Sequence, residues 1–127
     1  EPSSKGTGNE VDMEQILNWN PDVILFAPGS IYASVGSNEN WQTVTAIKNG
    51  VYYEVPMGPY NWMGFPPSVQ RLLGMTWMAK ILYPTAADYD LYTEASTYFQ
   101  MFYHCELTQA QYDALMGGSA HLNGQAA

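Results

Sequence analysis

Asp22–Ala27 (DVILFA) is the segment that most restricts how this chain can fold. Its apolar residues run without interruption directly after Asn20-Pro21, a pair that stops any preceding helix because proline cannot continue it. A strand with one face in water alternates apolar and polar positions. A continuous run of strand length instead calls for cover on both faces, which the helices of an α/β layer fold supply. Val51–Val55 (VYYEV) reads as a second strand. Between the two lies a helical stretch, about Trp41–Lys48, that Asn38 or Asn40 could cap and that closes at Gly50. Strand, helix, strand in this order is the pattern of a small parallel sheet with crossover helices.

The flanking segments extend this α/β reading. Met13–Trp19 is a short helix with Asp12 as its cap and Glu14 and Gln15 near its positive end. Pro28–Gly36 forms a loop at the carboxyl end of the first strand. Pro67–Leu82 is the longest helix, with Val69, Leu72, Leu73, Trp77 and Ile81 near helical spacing, and Pro84 ends it. Asp88–Tyr103 follows, with Leu91, Ala95, Tyr98, Phe99 and Phe102 on one face. Thr108 caps a last helix that runs to about Met116. Residues 1–10 read as an irregular loop, 11–116 as the folded lobe and 117–127 as a flexible tail.

Composition excludes several functions. A net charge of −8 and a pI near 4.3 argue against nucleic acid, whose phosphates demand a basic surface. With four Lys plus Arg, an anionic membrane surface is an equally poor partner. Cys105 is the single cysteine, so neither an intrachain disulfide nor a thiolate metal cluster is available. No stretch approaches the ~20 apolar residues that span a bilayer. The chain opens on polar EPSSKGTGNE, without a signal peptide, and reads as a loop cut in its middle.

Ligands of open α/β sheets bind beyond the carboxyl ends of the strands. Those ends are Gly29-Ser30-Ile31-Tyr32 and Gly58-Pro59-Tyr60-Asn61-Trp62. Tyr and Trp bring flat apolar area with a polar tip, and Asn brings both donors and acceptors. The mixture suits a bulky, partly polar ligand held without reaction. Equally, Tyr60 and Trp62 could cap the sheet with their polar tips bonded locally; their place on a loop favours binding. Glu14 has two readings: a favourable charge in a first helical turn, and a carboxylate for a partner's Arg or Lys. His104 and Cys105 fall short of a metal site, which needs more ligands at set spacings. His104 reads as a helix end, Cys105 as a small buried residue, and the carboxylates Asp88, Asp90, Glu94 and Glu106 as solvated. No GxSxG, HExxH, GxxxxGK[ST] or GxGxxG pattern occurs, which disfavours an enzyme.

MEQILNWNPDVIL, WQTVTAIKNGVYYEVP and PPSVQRLLGMTWMAKILYP, in this order and spacing, resemble the C-terminal lobe of a class III substrate-binding protein of ABC importers. The resemblance runs from about Val11 to Leu115. It implies a three-layer Rossmann-like lobe with a small, mostly parallel sheet flanked by helices, one half of a two-lobed, helix-linked binding protein. The first lobe, the linking helix and the first strand of the second lobe are absent from this sequence, so the chain is expected to be a fragment. The implied cargo is an iron complex (ferric siderophore or haem) or a related chelate such as cobalamin. The alternatives are an oxyanion such as molybdate or tungstate, or a non-catalytic protein-interaction domain. Carried over by position, Tyr60, Asn61 and Trp62 match the loop that reaches the ligand, and Ser30 and Tyr32 the other cleft loop. Glu14 matches the acidic residue that pairs with arginines of the permease. Many siderophore binders place an Arg soon after the aromatic loop; here Pro67-Ser68-Val69 stands there and Arg71 follows one helical step on, which leaves the cargo open. The resemblance implies no cofactor and no resident metal, an extracytoplasmic location, and permease subunits as partners.

Overall fold

The structure is a computed structural model that describes residues 10–119. Its elements are α1 (Met13–Trp19), β1 (Ile24–Phe26), α2 (Tyr32–Val35), α3 (Thr45–Lys48), β2 (Tyr52–Glu54), α4 (Arg71–Leu82), α5 (Leu91–Tyr103) and α6 (Gln109–Met116). β1 and β2 form a small parallel sheet flanked by helices, the α/β architecture expected from the sequence. The ladder runs from Ile24 N–H donating to Val51 O (3.2 Å) to Val55 N–H donating to Phe26 O (2.8 Å). The strands are shorter than the apolar runs that announce them. Each has one neighbour, so Ile24 and Leu25 are half-buried and Phe26 alone in β1 is buried.

The chain divides into two compact units. One comprises the chain up to Ile24 together with Ala33–Tyr52. Within it, α1 starts on a reciprocal cap: Asp12 accepts from Gln15 N–H (2.8 Å) and the Gln15 side chain accepts from Asp12 N–H (3.3 Å). Asn20, with φ of 40°, ends α1 by donating its N–H to Ile16 O. Its side chain then accepts from Thr45 N–H (2.9 Å), where α3 begins. The helix expected from Trp41 therefore starts only at Thr45. Asn38 accepts from Asn40 N–H (3.0 Å), an Asx turn, and Trp41 and Val44 close successive turns before the helix can form. Val35, Val44, Ala46 and Ile47 are the buried apolar residues here.

The other unit comprises Leu25–Tyr32 and the chain from Tyr53 onward. Its core joins Val55 and Trp62 to Leu73 and Trp77 of α4, Leu91, Ala95, Tyr98 and Phe99 of α5, and Leu107, Tyr112 and Met116 around α6. α4 begins at Arg71, later than expected, because the chain first closes a tight turn: Arg71 N–H donates to Ser68 O (3.2 Å) and Leu72 N–H to Val69 O (3.0 Å). α5 begins at Leu91 because Asp90 caps it, accepting from Thr93 N–H (2.8 Å). Thr108 caps α6 as expected, in a capping box with Gln111. Val69, Leu72 and Phe102, assigned to buried stripes from their spacing, are 54, 48 and 45% exposed. Gly117–Ser119, expected to open a flexible tail, form a short helical turn, with Ser119 buried. The remainder of that tail, and all but Glu10 of the irregular loop assigned to 1–10, lie outside the described residues.

Candidate functional site: two loops at the carboxyl ends of the strands

Past β2 the chain turns through Pro56–Gly64. Met57 and Asn61 form an antiparallel bridge, Gly58 N–H donates to Tyr60 O, and Trp62 N–H donates to Pro56 O (3.2 Å). The turn requires glycine at 58, where φ is 142° and a Cβ would stand 2.1 Å from Leu115 Cδ2. The peptides Gly58-Pro59 and Phe65-Pro66 are cis. Asn61 Oδ1 accepts from Met63 N–H (3.0 Å) and Gly64 N–H (2.6 Å), so its acceptor shapes the loop while Nδ2 has no partner among the described residues. Arg71 Nη2 donates to Gly64 O (3.3 Å) from the first residue of α4.

The sequence gives Tyr60 and Trp62 the same role; the structure separates them. Tyr60 is 49% exposed. Trp62 is wholly buried, and its Nε1–H donates to Gly58 O (3.2 Å). Trp62 thus supports the loop from within the core and offers no surface to a ligand in this conformation.

The other loop leaves β1 through Ala27–Ile31 and enters α2 at Tyr32, a helix inside the segment expected to be loop over Pro28–Gly36. Gly29, at φ of 69°, donates its N–H to Glu54 Oε1 (2.9 Å), which joins the ends of both strands. Ser30 is exposed with its N–H turned to Ala27 O. Tyr32 stands half-buried, edge-on to Phe26, and donates its hydroxyl to Gly118 O (2.7 Å). Segment 115–119 braces both loops: Leu115 O accepts from Met57 N–H (3.4 Å), and Ser119 Oγ donates to Glu54 O (2.6 Å). Ser30, Tyr60 and Asn61 therefore remain as the groups at these strand ends with hydroxyl or amide donors available to a ligand. Nothing among them pairs a nucleophile with a base. Glu54 and Gln70, which tie the loops down, escape sequence reasoning, since a polar residue at a strand or helix end reads as solvated until its burial is known; Tyr103, read from its aromatic run as core, bonds Gln70 through its hydroxyl.

Glu14 is exposed in the first turn of α1, with no cation paired to it among the described residues. His104 closes α5 in the left-handed conformation, and Cys105 is exposed, against the expectation that it is buried. The described residues contain no group of three or more His, Cys, Asp or Glu able to hold a metal ion. His121 lies outside them. The resolved titration shifts fall elsewhere. Burial, with the neighbouring Tyr103 hydroxyl, raises Tyr98 to about 12, and the Thr93 hydroxyl holds Asp90 below the usual carboxylate range. No described helix is long and apolar enough to cross a membrane.

No protein-family model matches the chain. An ABC transporter solute-binding protein from Sulfurospirillum deleyianum superposes with a TM-score of 0.80 at 33% identity, over 87% of this chain and 34% of that one. A periplasmic solute-binding protein from Veillonella parvula superposes with a TM-score of 0.81 at 29% identity, over 96% of this chain and 38% of that one. In sequence, the molybdate-binding protein MolA of Haemophilus influenzae is 32% identical over 97 residues, 74% of this chain and 27% of the relative. The chain's structural neighbours are thus ABC transporter solute-binding proteins, and it spans only 27–38% of the length of each of these relatives.

Proposed function

We propose that this chain forms one lobe of the solute-binding component of an ABC importer, working outside the cytoplasmic membrane, and that its cargo is a small oxyanion of the molybdate type. The observation that carries the reading is the fold match at 33% identity to a solute-binding protein, combined with a loop that presents Tyr60 and Asn61 at the carboxyl end of β2. The oxyanion is preferred to the iron chelate because the relative at 32% identity is named for molybdate. Ser30, Tyr60 and Asn61 Nδ2 supply neutral donors, and Arg71 supplies a cation at the loop's end. Neutral donors and one guanidinium suit a small anion with several acceptor oxygens. Glu14 is the docking carboxylate for basic residues of the permease. The role is binding, without a catalysed reaction.

Calorimetric titration of the full-length polypeptide encoded by its gene tests this reading. Sodium molybdate and sodium tungstate should bind with 1:1 stoichiometry, while sulfate, haemin and a ferric hydroxamate should not. Saturable binding of haemin or the hydroxamate, with none of the oxyanions, would return the cargo to the chelate class. Binding of none of them would favour a protein-interaction role.

A further inference from the structure

Gln70 is a polar residue with no exposed surface, at a position where its side chain neglects the local task. It stands at the N-cap of α4 without capping it; Ser68 Oγ instead accepts the Gln70 N–H (3.2 Å). The amide is spent elsewhere. Nε2 donates to Gly58 O (2.8 Å), and Oε1 accepts from the hydroxyl of Tyr103 (2.8 Å), the last residue of α5. Gly58 O also accepts from Trp62 Nε1, so both lone pairs of that carbonyl are used. Gly58 lies two residues before Tyr60, inside the turn closed by the Met57–Asn61 bridge. A buried amide satisfied at both ends has one arrangement, and losing either partner leaves a buried polar group unpaired.

We infer that Gln70, oriented by Tyr103, is a positioning residue that sets the conformation in which Tyr60 and Asn61 meet the ligand. The inference rests on the binding role proposed above for that loop. Trp62 and Gln70 hold the same carbonyl from two sides, and the Tyr103 hydroxyl keeps the Gln70 amide facing it. The loop's geometry is in this way referred to the end of α5.

The test uses Q70L, the milder Y103F, Y60A and the double variant Q70L/Y60A in the full-length polypeptide. Amide hydrogen exchange without ligand should quicken across residues 57–64 in Q70L and Y103F while the central turns of α4 and α5 keep wild-type rates. With sodium molybdate as probe, Y103F should weaken affinity about fivefold, the equivalent of one net hydrogen bond of about 1 kcal/mol. Q70L should weaken it further, yet add little once Tyr60 is gone. Exchange that is unchanged at 57–64, or quickened evenly over the whole unit, would overturn the inference, as would additive losses in the double variant. If the wild type does not bind molybdate, the cargo reading fails on its own, and the exchange pattern alone decides the role of Gln70.

Discussion

Gly74, in the middle of α4, lies directly against the backbone carbonyl of Trp62: a Cβ built on Gly74 would stand 2.1 Å from that oxygen and 2.7 Å from Met63 Sδ. Helix α4 carries a glycine here so that the loop backbone can seat on it. Replacing glycine by alanine inside a helix ordinarily stabilises by about 1 kcal/mol. In G74A the clash outweighs that gain, and a net loss of about 1–3 kcal/mol is expected, as for overpacked sites. Urea denaturation monitored by circular dichroism measures it; a gain in stability would mean that the loop does not seat on α4.

Tyr60 and Trp62 should part company under mutation. Y60A removes an exposed ring and should change stability by no more than about 0.5 kcal/mol, while weakening molybdate binding. W62A opens a cavity in the core and should cost about 3–5 kcal/mol. Thermal melts beside calorimetry separate the two effects. Equal destabilisation by both variants would contradict the exposure of Tyr60.

Removing the Glu14 charge should leave folding and cargo affinity intact and impair delivery. E14Q is isosteric and solvent-facing, so its melting temperature should match the wild type. Transport in vesicles reconstituted with the permease should fall, and a basic-to-neutral change on the permease should produce the same defect. Normal transport by E14Q would assign Glu14 to helix-end electrostatics alone.

At high pH the native state should weaken through Tyr98. Its hydroxyl is raised to about 12 chiefly by burial, above the usual value near 10. A group whose folded value is raised contributes stability that is complete below the unfolded value and lost as pH climbs through the folded one. Unfolding free energy should therefore decline between about pH 10 and 12. Y98F should flatten part of that decline, leaving the share of Tyr53 and Tyr89, which burial also raises.

Elements whose signals are local were legible in the sequence. α1 spans Met13–Trp19 because Asp12 and Asn20-Pro21 are start and stop signals that need no tertiary partner, and Thr108 announces α6 in the same way. α4 and α5 were legible as helices, but their faces were not. Val69, Leu72 and Phe102 share the helical spacing of Leu73 and Tyr98, and only the direction from which neighbours approach decides which of them is buried. At the candidate site, the strand order located the two segments at the carboxyl ends of the strands, although Tyr32–Val35, expected within a loop, is α2. Spacing could not distinguish Tyr60 from Trp62, two residues apart in one turn, because their opposite fates depend on the Gly58 carbonyl and on Gly74 beneath the loop. Gln70 was invisible because its partners, Gly58 and Tyr103, are brought to it only by the fold.

Asn20 closes α1 with its backbone and, with its side chain, accepts the first amide of α3, while Pro21 O takes the next one from Ala46 (3.0 Å). Two adjacent bonds make a strut where a single bond would make a pivot. Asn20 lies less than two turns beyond Glu14, and from Asn20 and Pro21 the contact passes directly to residues 45–46 without following the intervening chain. The short helix that bears the carboxylate, none of whose residues is buried, is stiffened by its end and not by its sides.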